Sequence, residues 1–67
     1  MLSDINFIKS LRARVLQVRG KHNLTQKQFA ERSGLSEITI NKFENGKNNL
    51  TNLTISKLLH CVKELEV

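Results

Sequence analysis

The chain has one cysteine, no proline, no tryptophan and no tyrosine among its 67 residues. The single thiol, Cys61, excludes an internal disulfide framework, and with only His22 and His60 beside it leaves no structural zinc set. A reducing cytoplasm is the compartment that fits. No apolar run approaches the roughly 18 residues of a membrane span, and residues 1–8 alternate apolar with polar instead of forming a signal-peptide core. Also missing are a glycine-rich phosphate loop, carboxylates paired for acid–base work, and a nucleophile at a telling distance from a base. A core this small can hardly enclose a ligand cavity of roughly several hundred Å³. The expectation is therefore a single domain over 1–67, not an enzyme, with no cofactor and no metal.

Positive charge is in surplus: 11 Lys+Arg stand against 6 Asp+Glu, a formal charge of +5. The surplus is concentrated. Lys9, Arg12, Arg14, Arg19, Lys21, Lys27 and Arg32 face only Asp4 and Glu31 in the first 35 residues, while the tail after Leu50 is neutral. Such a field favours an anionic partner, with nucleic acid ahead of an acidic protein and a membrane surface third.

One phrase occurs three times: Leu24-Thr25-Gln26-Lys27-Gln28-Phe29, Leu35-Ser36-Glu37-Ile38-Thr39-Ile40 and Leu50-Thr51-Asn52-Leu53-Thr54-Ile55. Each reads as a helix entry. The hydroxyl accepts from free N–H groups of the first turn, and the leucine before it staples to the apolar residue four after the cap. Thr25 with Gln28 also forms a capping box. Asn23, Gly34 and Gly46 supply stops, because each can take the left-handed conformation that closes a helix. The pattern predicts helices over about 4–22, 26–32, 37–45 and 52–65, and no strand. The connection Ser33-Gly34-Leu35 is so short that the middle pair forms a helix-turn-helix over about 26–45.

Helical phase then sorts the side chains. Ile5, Ile8, Leu11, Val15 and Val18 share one face of the first helix, and Arg12 and Arg19 fall in the same arc. On the third helix Ile40 and Phe43 turn inward and Glu44 lies on that side. Arg19 and Glu44 are expected to form a shielded ion pair clamping these helices; the alternative is that Arg19 extends along the apolar face to water. Ser36, Glu37, Ile38, Asn41 and Lys42 are left pointing outward. Lys42 can reach guanine or a phosphate, Asn41 adenine, Ile38 a thymine methyl and Glu37 a cytosine amine. Isolated surface aliphatics are common, however, so Ile38 alone decides nothing. Gln26 and Lys27 lie where the N-terminus of the second helix can hold a phosphate, which is equally a place for ordinary capping. Lys47 and Asn49 add donors after the third helix. Neighbours His60 and Cys61 point about 100° apart and cannot chelate together; Cys61 reads as a small buried hydrophobe.

From Val18 to Val62, roughly two-thirds of the chain, the sequence resembles the lambda-repressor-like, Xre or Cro-type helix-turn-helix family. The likeness is carried by Arg19, Leu24-Thr25-Gln26, Phe29-Ala30, Gly34-Leu35-Ser36, Thr39-Ile40 and Phe43-Glu44-Asn45-Gly46-Lys47. It implies an all-α, compact bundle of four or five helices that places the third in the DNA major groove, usually as a dimer on a near-palindromic site. It also implies that Gln26 holds phosphate, that Glu37, Ile38 and Lys42 read bases, that Ser36 contacts DNA at the helix start, and that Arg19 and Glu44 are the internal ion pair. Asn23 stands where relatives commonly have glycine, and Glu37 where many carry Arg, Gln or Ser.

The expected function is a sequence-specific, double-stranded-DNA-binding transcriptional regulator of repressor type, acting as a homodimer through Leu59 and the end around residues 65–67. Alternatives are an antitoxin with a toxin partner, a restriction–modification controller, or a module binding an acidic protein. A membrane-surface role ranks below these, because the apolar side of the first helix is needed for the core.

Overall fold

Each of the three hydroxyl residues that precede a helical pattern opens a helix. In the computed structural model, which describes residues 5–47 and 50–67, the elements are α1 (Ile5–Lys21), α2 (Gln26–Ser33), α3 (Glu37–Glu44) and α4 (Asn52–Leu65). Thr25 Oγ1 accepts from Gln28 N at 3.0 Å, while Gln28 Oε1 accepts from Thr25 N at 2.9 Å, completing the capping box. Ser36 Oγ accepts from Thr39 N and Thr51 Oγ1 from Thr54 N, both at 3.1 Å. Four residues beyond each cap, Phe29, Ile40 and Ile55 are buried. The leucines before the caps, Leu24, Leu35 and Leu50, pack half-buried against the same core. Short helices such as α2 and α3 would not persist alone in water. Their ends are fixed by caps and their inner faces by packing.

The same turn closes α1 and α2. Asn23 (φ 55°) and Gly34 (φ 77°) occupy the left-handed region, and the following leucine N–H reaches back to the helix, Leu24 N to Arg19 O at 2.9 Å and Leu35 N to Ala30 O at 3.0 Å. One leucine thus ends one helix and staples the next, so four residues suffice for the first corner and three for the second. No strand occurs among the described residues, and the domain is all-α.

The core is assembled from Leu11, Val15 and Val18 of α1, Phe29 and Ala30 of α2, Ile40 and Phe43 of α3, and Ile55, Leu58, Cys61, Val62 and Leu65 of α4. Here α2 packs on α3 and α4, and α1 on α3 and α4. One expectation needs correction. Ile5 shares the helical phase of the inward face but is 66% exposed, because phase fixes a direction and no element among the described residues covers the first turn of α1 there. Packing on α1 begins instead at Phe7 and Ile8, both half-buried. Leu65 shares the apolar stripe of α4 with Ile55, Leu58 and Val62 and is buried with them, and Leu59 packs half-buried against the core.

The C-terminal end of α4 and the residue after it are tied to α1 and the residue that follows α1 by polar contacts. His22 Nε2–H donates to Leu65 O at 2.7 Å, and Arg14 grips Glu66 with Nε and Nη2, at 2.9 and 2.7 Å. The guanidinium hydrogen bonds hold the Glu66 carboxyl below the usual carboxylate range and push the Arg14 pKa up. Burial, with a smaller contribution from nearby Glu64, raises the Cys61 thiol above its ordinary value.

Candidate nucleic-acid interface

The three-residue corner between them leaves α2 and α3 packed on each other, with the N-terminus of α2 beside the outer face of α3. Gln26, from the first turn of α2, and Glu37, Ile38, Asn41 and Lys42, from α3, together line a shallow open concavity of about 290 Å³. Ile38 is 68% exposed within it. An aliphatic side chain gains nothing from water, and beside four polar neighbours it offers the surface a methyl-sized contact.

Glu37 and Lys42 give this concavity one charge of each sign. Glu37 lies in the first turn of α3, where the helix dipole favours a carboxylate. The side chains of Lys27, Lys42 and Lys47 are exposed and make no ion pair among the described residues, so their charges are free to meet an anion. Lys27 and Lys47 stand outside the concavity, on the residues after Gln26 and after the end of α3. Ser36 is exposed at the mouth of α3, but its hydroxyl is occupied with capping and with Thr39 Oγ1 at 2.9 Å. Asn49 lies outside the described residues.

Behind this surface, Arg19 and Glu44 meet as a two-pronged pair: Nε to Oε2 at 2.9 Å and Nη2 to Oε1 at 3.1 Å. The side chains are 20% and 7% exposed, so the contact is largely shielded from water. Arg19 Nη1 also donates to Leu24 O at 3.4 Å, in the corner between α1 and α2. The pair therefore joins α1, the first corner and the end of α3.

Two connections to this pair have no counterpart in the helical-face reading. Gln26 Nε2 donates to Glu44 Oε1 at 2.9 Å, and Asn41 Nδ2 donates to Gln26 Oε1 at 3.2 Å. Both are contacts between different helices, so periodicity within one helix carries no signal for them; the only hint is that Asn41 and Glu44 are three apart and share a flank of α3. Separately from this pair, Arg12 Nε donates to Phe43 O at 2.9 Å and its guanidinium lies 5.6 Å from the Phe43 ring centroid. A cation at the C-terminal end of α3 adds a second donor to the Phe43 carbonyl, which already accepts from Gly46 N at 3.1 Å, and complements the dipole. The awkward placement of Arg12 on the inner face of α1 is resolved in this way.

Among the described residues no three His, Cys, Asp or Glu side chains gather as a metal site, and no helix is long and apolar enough to cross a membrane.

Two helices joined by a three-residue left-handed turn, the second presenting an uncovered polar face, define the helix-turn-helix class of DNA-binding domain. A family model described as helix-turn-helix matches residues 15–61, from within α1 to within α4. The chain belongs to that family, the lambda-repressor-like, Xre-type helix-turn-helix proteins, which are DNA-binding regulators and generally not enzymes. No curated protein and no solved structure matches the chain.

Proposed function

We propose that this chain is a sequence-specific repressor that lays α3 in the major groove of duplex DNA and acts as a homodimer on a near-palindromic site. The observation that carries the reading is the joint surface of Gln26, Glu37, Ile38, Asn41 and Lys42, which offers an acceptor, a donor, an amide and an apolar contact within one concavity. Those are the chemistries that distinguish base edges in the major groove. In this reading Lys42 meets guanine, Ile38 a thymine methyl, Asn41 adenine and Glu37 the amine of cytosine. Lys27, Lys47, Asn49 and the N-terminus of α2 hold the sugar-phosphate backbone, with Ser36 at the helix start. Glu37 then acts partly by exclusion, since a carboxylate disfavours any docking that presses it on phosphate.

Length favours two copies. The eight residues of α3 span about 12 Å and so cover about four base pairs, too short a word to specify a genomic site. The longest extent of the domain is 30 Å, close to the roughly 34 Å repeat of the duplex, so neighbouring copies can touch while reading successive grooves. Repression follows from occupancy, because a groove filled by α3 is closed to other proteins.

Selection of bound duplexes from a random pool, followed by titration of single-base variants, tests this. Lys42→Ala should relax preference at one base step by about 1–3 kcal/mol, whereas Lys27→Ala should weaken all duplexes alike and reduce the salt slope by about 1. Failure to bind any duplex at low salt would sink the proposal and leave an acidic protein as the partner to seek.

A further inference from the structure

We infer that the Arg19–Glu44 pair fixes, through Gln26, the orientation of the Asn41 amide, and that Gln26 is thereby a positioning residue for adenine recognition by Asn41. The inference rests on the DNA-binding reading above and concerns how one position of the site is read.

The polarity of the hydrogen bonds sets the sense of both amides. A carboxylate held by a guanidinium can only accept, so Glu44 Oε1 compels Gln26 to present its NH2 group, and Gln26 Nε2 lies 2.9 Å away. Once that end of the amide is turned to Glu44, its oxygen must face the other way. Asn41 Nδ2 stands there at 3.2 Å and donates to Gln26 Oε1. Two amides that could each have flipped are thus set in one sense by a charge. Without that charge, either orientation of the Gln26–Asn41 pair would satisfy the same number of hydrogen bonds.

The consequence lies on the exposed side of α3. Asn41 commits one N–H to Gln26 and keeps the other N–H together with its oxygen Oδ1. With the N–H trans to Oδ1 given to Gln26, the N–H cis to Oδ1 stands beside the carbonyl, the pattern that pairs with adenine N7 and N6 in the major groove. A flipped Asn41 would turn its oxygen towards Gln26 Oε1, where two acceptors repel. Gln26 is similarly saturated: one N–H on Glu44, its oxygen on Asn41, and a second N–H left for a phosphate. A phosphate on that N–H polarises the same amide and strengthens its hold on Asn41, so backbone contact and base reading are coupled.

The alternative for Gln26 is a phosphate contact and nothing more, and the two roles predict different data. The selected site is first searched for the adenine whose preference disappears in Asn41→Ala. At that position, wild type, Gln26→Met, Asn41→Ala and the double variant are titrated with adenine, 7-deazaadenine and the other three bases. Gln26→Met keeps side-chain length and leaves the Thr25–Gln28 capping box untouched; far-UV circular dichroism and Tm check that it folds. Wild type should prefer adenine over the substitutes by roughly ten- to hundredfold. Gln26→Met should lose most of that preference, keep its preferences elsewhere, and show no further loss when Asn41 is also removed.

In the free protein, Gln26→Met should shift the side-chain amide resonances of Asn41. A uniform loss of affinity with the adenine preference intact, or Asn41 amide resonances indifferent to Gln26→Met, overturns the inference while leaving DNA binding standing. If wild type discriminates at no position that depends on Asn41, the inference also falls, and if it binds no duplex the proposed function falls with it.

Discussion

Arg19 carries the largest single electrostatic risk in the molecule. Its charge lies on the inner face of α1 and is compensated by Glu44 at 2.9 and 3.1 Å, in surroundings where water reaches little of either side chain. Removing one partner strands the other, at a cost of about 3–5 kcal/mol where burial is complete and somewhat less here because Arg19 keeps some access to water. Urea unfolding of Arg19→Ala, Glu44→Ala and the double variant should give strongly non-additive losses, the double losing little more than the worse single; additive losses would show that the pair is not a unit. Cys61 makes the opposite case, a residue whose chemistry is silenced by packing. Burial raises its pKa, so the folded state holds the thiol proton where the unfolded state releases it. Stability should accordingly be unaffected below the unfolded thiol's pKa and fall as pH rises through and above it. Thiol labelling should proceed at the rate of opening, and fast labelling under native conditions would contradict the burial of this side chain. That Arg19 and Glu44 face each other was legible from helical phase, since each is a charge on an apolar arc. Their link to Gln26 was not, because phase says nothing about which residues of different helices meet.

The helices owe their boundaries to local chemistry. Ser36 is the test case, because its oxygen accepts from Thr39 N and nothing else caps α3. Ser36→Ala should destabilise the domain by about 1 kcal/mol in thermal or urea unfolding, while Ser36→Asp, which can still cap and favours the dipole, should retain stability. Both should weaken DNA binding, the second through charge repulsion, which separates capping from contact. Equal stability of Ser36→Ala and wild type would mean that water or Thr39 takes over the cap. Gly34 closes α2 at φ 77°, and an added Cβ would meet no neighbouring atom within 4 Å, so the strain of a Gly34→Ala change is one of backbone conformation alone. Ends of this kind are readable because cap, staple and left-handed residue lie within a few positions of one another. The exposure of Ile5 was not, since it depends on whether a distant helix arrives to cover it.

For the whole molecule the surplus of +5 sets how it meets an anionic partner. Of the arginines, Arg12, Arg14 and Arg19 are engaged internally, with Phe43, Glu66 and Glu44, so the cations available for phosphate are fewer than the composition suggests. Lys27, Lys42 and Lys47 are among those left exposed. If each copy neutralises about three to five phosphates, log K should fall with log salt at a slope of roughly −3 to −4.5 per copy, doubling for a dimer. A titration from low to physiological salt measures it, and a slope near zero would mean that binding does not run through the backbone. Acid should loosen the far end of the bundle first. The Glu66 pKa lies below its ordinary value, so the tie to Arg14 is present above the unfolded carboxyl pKa and is lost as pH falls through the lowered one.

The order of helices, their caps and closing residues, and the sign of the charge were fixed by the sequence alone, because those properties are decided by residues within one turn of each other or by simple counting. What only the tertiary structure decided is which polar groups are spent and which remain free. Arg14 looks like a surface cation but is spent on Glu66, Arg12 finds its partner in Phe43 on α3, and Gln26 sits between an ion pair and the exposed face of α3. Hydrogen bonds and burial are relations between distant segments, and these become definite only when the helices pack.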